Sequence, residues 1–150
     1  MYAPAQLAKA FYTTLAADAQ LVALVPDGIF NGYAVTQFGN QDGDFKIVTI
    51  GTWSSVSSDD MSTDGWQVSC DVDIWVRIKG NDGYGPNYAI ASRIFDLIHR
   101  QQAGLSLLMP DSVCWLIRRT GERNSLDPDG LTTRTTLTFT ASLKEDKQWL

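Results

Sequence analysis

The sequence predicts an α+β protein: an antiparallel sheet of about four strands with helices packed on one face, in a single domain. Three observations carry that expectation. Trp66, Val68, Cys70, Val72, Ile74, Val76 and Ile78 alternate with Gln67, Ser69, Asp71, Asp73, Trp75 and Arg77. This period of two marks a long strand with one buried face, and Trp75 is its exception on the polar side. Leu7, Phe11 and Leu15, then Ile90, Ile94, Leu97 and Ile98, recur at helical spacing and give two apolar stripes. Finally, 150 residues with 44% hydrophobic and 19% charged side chains suit one folded core.

The elements follow in order. Five of the 12 glycines come after an aspartate, at Asp27-Gly28, Asp42-Gly43, Asp64-Gly65, Asp82-Gly83 and Asp129-Gly130. Asp bonds its own backbone and Gly accepts positive φ, so each pair reads as a turn between periodic segments. An N-terminal helix carries Leu7, Phe11 and Leu15. Asp18 reads as the N-cap of a second, short helix stopped at Pro26. Ile29-Phe30 reads as a brief strand and 31–44 as a long loop without period. Phe45 to Thr52 is rich in β-formers and reads as a strand, and the polar stretch 53–64 after it as a hairpin tip or flap. The alternating strand comes next, then a loop at 80–86 and a helix from Asn87 to Gln102. That helix carries His99 and Arg100 in its last turn, with Gly104 beyond. Val113 to Arg119 reads as a third strand. The alternation of Leu131, Thr133, Thr135, Leu137, Phe139, Ala141 and Leu143 gives a fourth. A charged tail, 144–150, closes the chain. No linker or repeat divides residues 1–150.

Composition narrows the function classes. Twelve Lys and Arg against 17 Asp and Glu give a net charge of 12 − 17 = −5. An acidic chain opposes nucleic-acid binding through a basic stripe. One histidine, His99, and two cysteines, Cys70 and Cys114, exclude most zinc sites. No basic-then-apolar leader and no apolar run of roughly 18 residues is present, so neither secretion nor a membrane is expected. Two widely spaced cysteines make a reducing cytoplasm the simplest compartment, although a Cys70–Cys114 bridge between neighbouring strands stays open.

Candidate chemistry is sparse. Asp71 and Asp73 project from one strand face at roughly 7 Å, a spacing usable for acid–base work or a metal. No His, Cys or further acid at ligand spacing joins them, so a polar or subunit-facing strand is the simpler reading. Gly80 to Gly85 lacks the Gly-Lys-Ser/Thr ending of a phosphate loop and the order of a dinucleotide turn. Asp127-Pro-Asp-Gly130 lacks the closing Glu of a calcium loop and reads as a turn. His99 has no Ser or Cys in an elbow-like context to activate. Thus no catalytic residue, cofactor or metal is expected. Of five tryptophans, Trp66 and Trp115 fit the core alternation, whereas Trp53, Trp75 and Trp149 lie where burial is not guaranteed. Aromatics beside arginine on a polar face point to a protein interface rather than to base stacking, which needs a positive groove.

The ordered pattern itself is informative. Asp18-Ala-Gln-Leu-Val-Ala-Leu-Val25 and Gly28-Ile29-Phe30 follow the first helix. Asp64-Gly65 precedes Val68-x-x-Asp71-Val72-Asp73-Ile74-Trp75-Val76-Arg77. Then come Ala89-Ile90-Ala91-x-x-Ile94-x-x-Leu97-Ile98-His99 and Asp127-x-Asp129-Gly130-x-Thr132-x-Arg134, closing at Leu137-x-Phe139-x-Ala141. From about residue 5 to 143 the chain resembles the tail-completion family of long-tailed bacteriophages, which includes the tail-to-head joining and tail-terminator proteins. The stretches 31–44 and 52–64 look long for that family.

The resemblance implies a non-enzymatic virion subunit of the tail's neck region, assembled in the host cytoplasm. It implies a homo-oligomeric ring, typically hexameric, that ends tube polymerisation and joins tail to head. Its implied partners are the tail-tube protein and a head-completion or stopper protein, and DNA passes through its channel without specific binding. Within that reading, Asp71, Asp73, Trp75 and Arg77 are the expected subunit contact, through Asp–Arg pairing across a repeated interface. Trp53, Asp59, Asp60 and Asp64 form the expected channel- or neighbour-contacting flap. The alternatives are another neck or tail component (a stopper or a tube subunit) and, from a different class, a small hydrolase or ligand-binding domain using His99 or the Asp71/Asp73 pair.

Overall fold

Pro4 presets a helical φ and gives up only an N–H that a first helical turn leaves unpaired, and helix α1 runs from Ala3 to Ala16. The computed structural model describes residues 2–32, 43–59, 64–79, 83–127 and 130–145. Asp18 starts α2 (Ala19–Leu24) by accepting the Leu21 N–H on Oδ2 at 2.8 Å, the expected cap. The strands are β1 (Ile29–Asn31), β2 (Phe45–Ser57), β3 (Gly65–Arg77), β4 (Ser112–Leu126) and β5 (Thr132–Glu145). Helices α3 (Gly85–Ile98) and α4 (Gln102–Ser106) lie between β3 and β4.

The strands form one sheet in the order β1-β2-β3-β5-β4. Four pair antiparallel as expected, and β1 adds a fifth, parallel to β2. The brief strand expected at Ile29-Phe30 is this fifth member, and three residues are too few for periodicity to show that it joins the sheet.

Irregularities in the backbone account for the shifted boundaries. The register of β2 slips between Gly51 and Ser54, where Thr52 has φ 53°, and pairing resumes with Ser54 to Ser57 opposite Ser69 to Trp66. The strand therefore runs into the stretch expected to be a flap. Ser58 donates to the Gly65 carbonyl at 2.8 Å, and a Cβ on Gly65 would lie 2.5 Å from the Ser58 carbonyl oxygen, so this crossing needs glycine. Of the flap, residues 60–63 lie outside the described residues, as do 33–42 of the long loop and 146–150 of the tail.

Helix α3 stops at Ile98, not Gln102, because His99 turns extended and Arg100 takes φ 58°. Gly104 consequently sits inside α4 instead of past a helix end. Strand β4 continues seven residues beyond Arg119 (126 − 119). Bulges at Cys114/Leu116 and Arg119/Gly121 had erased its alternation. Trp115 occupies the first bulge and is 52% exposed, so it is not a core residue.

The described helices cover one sheet face. Leu7, Phe11, Leu15, Ile90, Ile94 and Ile98 are buried against Val48, Ile50, Val72, Ile74, Leu137 and Phe139. Phe11 meets Phe139 edge-on at 5.6 Å and Trp53 at 5.8 Å. Each such side chain stabilises the fold by about 1.5–3 kcal/mol on burial. Cys70 and Cys114 are both buried and free, which closes the question of a bridge between them.

Candidate functional site

The opposite sheet face carries the residues expected to meet a neighbour. Register places Asp71 opposite Gly51 and Thr138, Asp73 opposite Thr49 and Thr136, Trp75 opposite Ile47 and Arg134, and Arg77 opposite Phe45 and Thr132. All four project from this one face, as alternation demands.

Each is held inside the chain. Asp73 is buried; it accepts Arg134 Nε at 3.0 Å and the Thr136 hydroxyl on the same oxygen. Asp71 accepts the Thr138 hydroxyl at 2.7 Å and lies 3.8 Å from the Arg123 guanidinium. Trp75 donates its indole N–H to Thr49 Oγ1 at 3.0 Å, and Arg134 lies over its ring at 4.6 Å. Arg77 stacks over Phe45 at 5.1 Å and donates Nε to Thr132 Oγ1 at 3.0 Å. The Asp–Arg pairing anticipated between subunits is therefore made first within the subunit. It uses Arg123, which no motif carried, and Arg134, which closed the Asp127–Arg134 motif without a site role. Nothing local signals them: Arg134 meets Asp73 across 61 positions, and Arg123 lies beyond the strand end that alternation suggested.

The remaining expected site residues separate. Trp53 is not at the hairpin end; its ring packs on Phe11, on the helix-covered side, with its indole N–H buried and unpaired among the described residues. It lines a largely apolar groove of about 260 Å³ with Tyr2, Pro4, Ala5, Ala8 and Val68. Asp59 and Asp64 do lie at the hairpin end. Asp59 accepts the Gly65 N–H at 3.0 Å, and the Asp64 carbonyl accepts from Glu145 at 2.9 Å. Asp60 lies outside the described residues.

The outer side of β4 is half covered. Ser106 Oγ bonds both the N–H and the carbonyl of Cys114, each at 3.0 Å. Arg100 donates its N–H to the Ile117 carbonyl at 2.9 Å, and His99 Nδ1 accepts the Arg119 N–H at 3.0 Å. Past Arg119 the cover thins to a side-chain contact, Asn124 donating its Nδ2–H to the Tyr88 hydroxyl of α3 at 3.1 Å.

These placements bear on chemistry. His99 lends its unprotonated Nδ1 to a backbone N–H and stacks on Phe95 at 4.3 Å. Desolvation first, then Arg100 and Arg119, lower its affinity for a proton. Among the described residues no group of three or more His, Cys, Asp or Glu converges as a metal would need. Nor is any described helix long and apolar enough to cross a membrane.

Comparison with known proteins gives the arrangement its context. The family model of tail completion protein gp17 matches residues 9–144. A solved structure titled "Virion of native gene transfer agent (GTA) particle" contains a chain of the same fold, with TM-score 0.77 and 19% identity. The match covers 96% of this chain and 99% of that one. No curated protein sequence matches. With 136 of 150 residues inside the family match (144 − 9 + 1), the chain belongs to the tail completion protein gp17 family and is a structural protein of the virion's tail region.

Proposed function

We propose that this chain forms a ring of like subunits, hexameric, at the head-proximal end of a tail tube. There it ends tube polymerisation and provides the surface that joins the tail to the filled head. The observation that carries this reading is the family match over residues 9–144. The ring assembles in the host cytoplasm, with the tube protein on one side and a head-completion or stopper protein on the other.

The reading assigns no catalysis. His99 is committed to a backbone amide and Asp73 to Arg134, so neither is disposed as a general base. The polar sheet face, with Asp71, Asp73, Trp75 and Arg77 locked in place, offers a neighbour a rigid platform. The hairpin end with Asp59 and Asp64 faces the channel or an adjoining ring. A net charge of −5 favours passage of DNA without adhesion.

Electron microscopy of the purified protein mixed with tail-tube protein tests the proposal. Closed rings seated on one end of tubes that then stop growing are the expected result. Long cylinders built from this chain alone would identify a tube subunit instead, and tubes left bare at both ends would overturn the reading.

A further inference from the structure

The two edges of the sheet match each other in level. Following the registers across the strands, Ile29 aligns through Val48, Ile74 and Thr135 with Asn124. Phe30 aligns through Thr49, Asp73 and Thr136 with Arg123, and Asn31 through Ile50, Val72 and Leu137 with Glu122. The short edge strand β1 thus stands level with one part of the opposite edge strand, Glu122–Asn124. That is the part of β4 which the α3–α4 connection leaves uncovered. The covered part, Cys114 to Arg119, is level with no residue of β1.

We propose that a second copy of this chain adds its β1 to β4 at Glu122–Asn124, extending the sheet from subunit to subunit, head to tail. This deepens the ring reading above by naming the surfaces that meet. Direction supports it. One parallel and three antiparallel steps leave β1 and β4 running oppositely, so a like-oriented neighbour makes the new pair antiparallel. Antiparallel pairing is the more favourable kind.

Side chains support it too. On the polar face, arginine already sits over the aromatic ring directly opposite it twice, Arg77 over Phe45 and Arg134 over Trp75. Arg123 projects from that face with its side chain 67% exposed, its guanidinium 3.8 Å from the Asp71 carboxylate. The neighbouring copy's Phe30 comes opposite Arg123 and completes a third such pair. A contact between unlike edges is heterologous, the kind that closes into rings; two β4 edges meeting about a two-fold axis would instead bring Arg123 near its own copy.

Cross-linking tests the pairing. Asn31 and Glu122 are exposed and lie four strand spacings apart within one chain, roughly 19 Å, far beyond disulfide reach. A chain carrying both Asn31→Cys and Glu122→Cys is oxidised on assembled rings and run on a non-reducing gel. The native cysteines are buried and stay silent. Covalent ladders reaching ring size, present in the double variant and absent from both single variants, are expected. In parallel, Arg123→Glu raises the concentration for half assembly roughly tenfold. Intact rings with no cross-link overturn the edge pairing and leave the ring reading standing, and dimers from either single variant overturn it in favour of a two-fold contact. If the wild-type chain forms no ring alone or on tubes, both readings fall.

Discussion

At the scale of single residues, His99 shows how a side chain that invites a catalytic reading serves structure. Its Nδ1 must stay unprotonated to accept the Arg119 N–H. Burial and the two nearby arginines push its proton affinity below the ordinary value of 6.5. A depressed folded pKa means that the unfolded chain takes up the proton first. The contribution is therefore complete above about pH 6.5 and is lost as pH falls through the lower folded value. The protection of the Arg119 amide, its exchange rate set against the intrinsic rate at the same pH, should fall on going from pH 7 to pH 5. His99→Asn, which offers an acceptor that does not titrate in this range, should flatten the dependence; an unchanged slope would show that His99 is not its source. Asp73 makes the same point about environment. It reads from sequence as half of a carboxylate pair, yet it is buried and occupied by Arg134 and Thr136.

Elements were legible where local chemistry repeats and illegible where the backbone departs from repetition. The unbroken alternation from Trp66 to Arg77 located β3, and Asp18 located the start of α2, because both signals lie within a few residues. The ends of β2 and β4 were lost at bulges, each of which reverses the side-chain parity that alternation relies on. The break after α3 was hidden for another reason: Arg100 holds a left-handed φ of 58° without being glycine. The site was legible only as a face. Alternation grouped Asp71, Asp73, Trp75 and Arg77, but their partners come from β5 and β4, through register that no local pattern encodes. Between elements, Arg93 on α3 grips the α2 cap, with Nε to Asp18 Oδ2 at 2.9 Å and Nη2 to Oδ1 at 2.7 Å. The Arg93 bond first, then the Leu21 N–H, bring Asp18 down to about 2 from 3.8, so this contribution holds above about pH 3.8 and fades as pH approaches 2. Asp18→Ala should lower the melting temperature more than Arg93→Ala, since it removes the cap as well as the pair. Asp18→Asn, which can still cap, should fall between wild type and Asp18→Ala. Equal losses in all three would mean that only the pair matters.

For the molecule as a whole, stability rests on a core between helices and sheet and on no covalent staple. Cys114 is held up to about 11 by burial, and Cys70 is raised further for the same reason, so neither thiol is disposed to react. A reducing agent should leave the melting temperature unchanged within about 1 °C, and a larger fall would reveal a bridge. The order of the strands carries a consequence for biosynthesis. Of the described strands β5 is made last, yet it lies between β3 and β4 and bonds to both. While a ribosome is still making the chain, the first three strands and the fourth have no shared sheet to join. Closure waits until Thr132 to Glu145 has left the exit tunnel. A nascent chain stalled before Thr132 is therefore expected to be sensitive to proteases, and one held on the ribosome by a C-terminal linker long enough to bring Thr132 to Glu145 out of the tunnel resistant. The subunit becomes whole in one late step, and no partly made copy presents both of the edges that a growing ring would need.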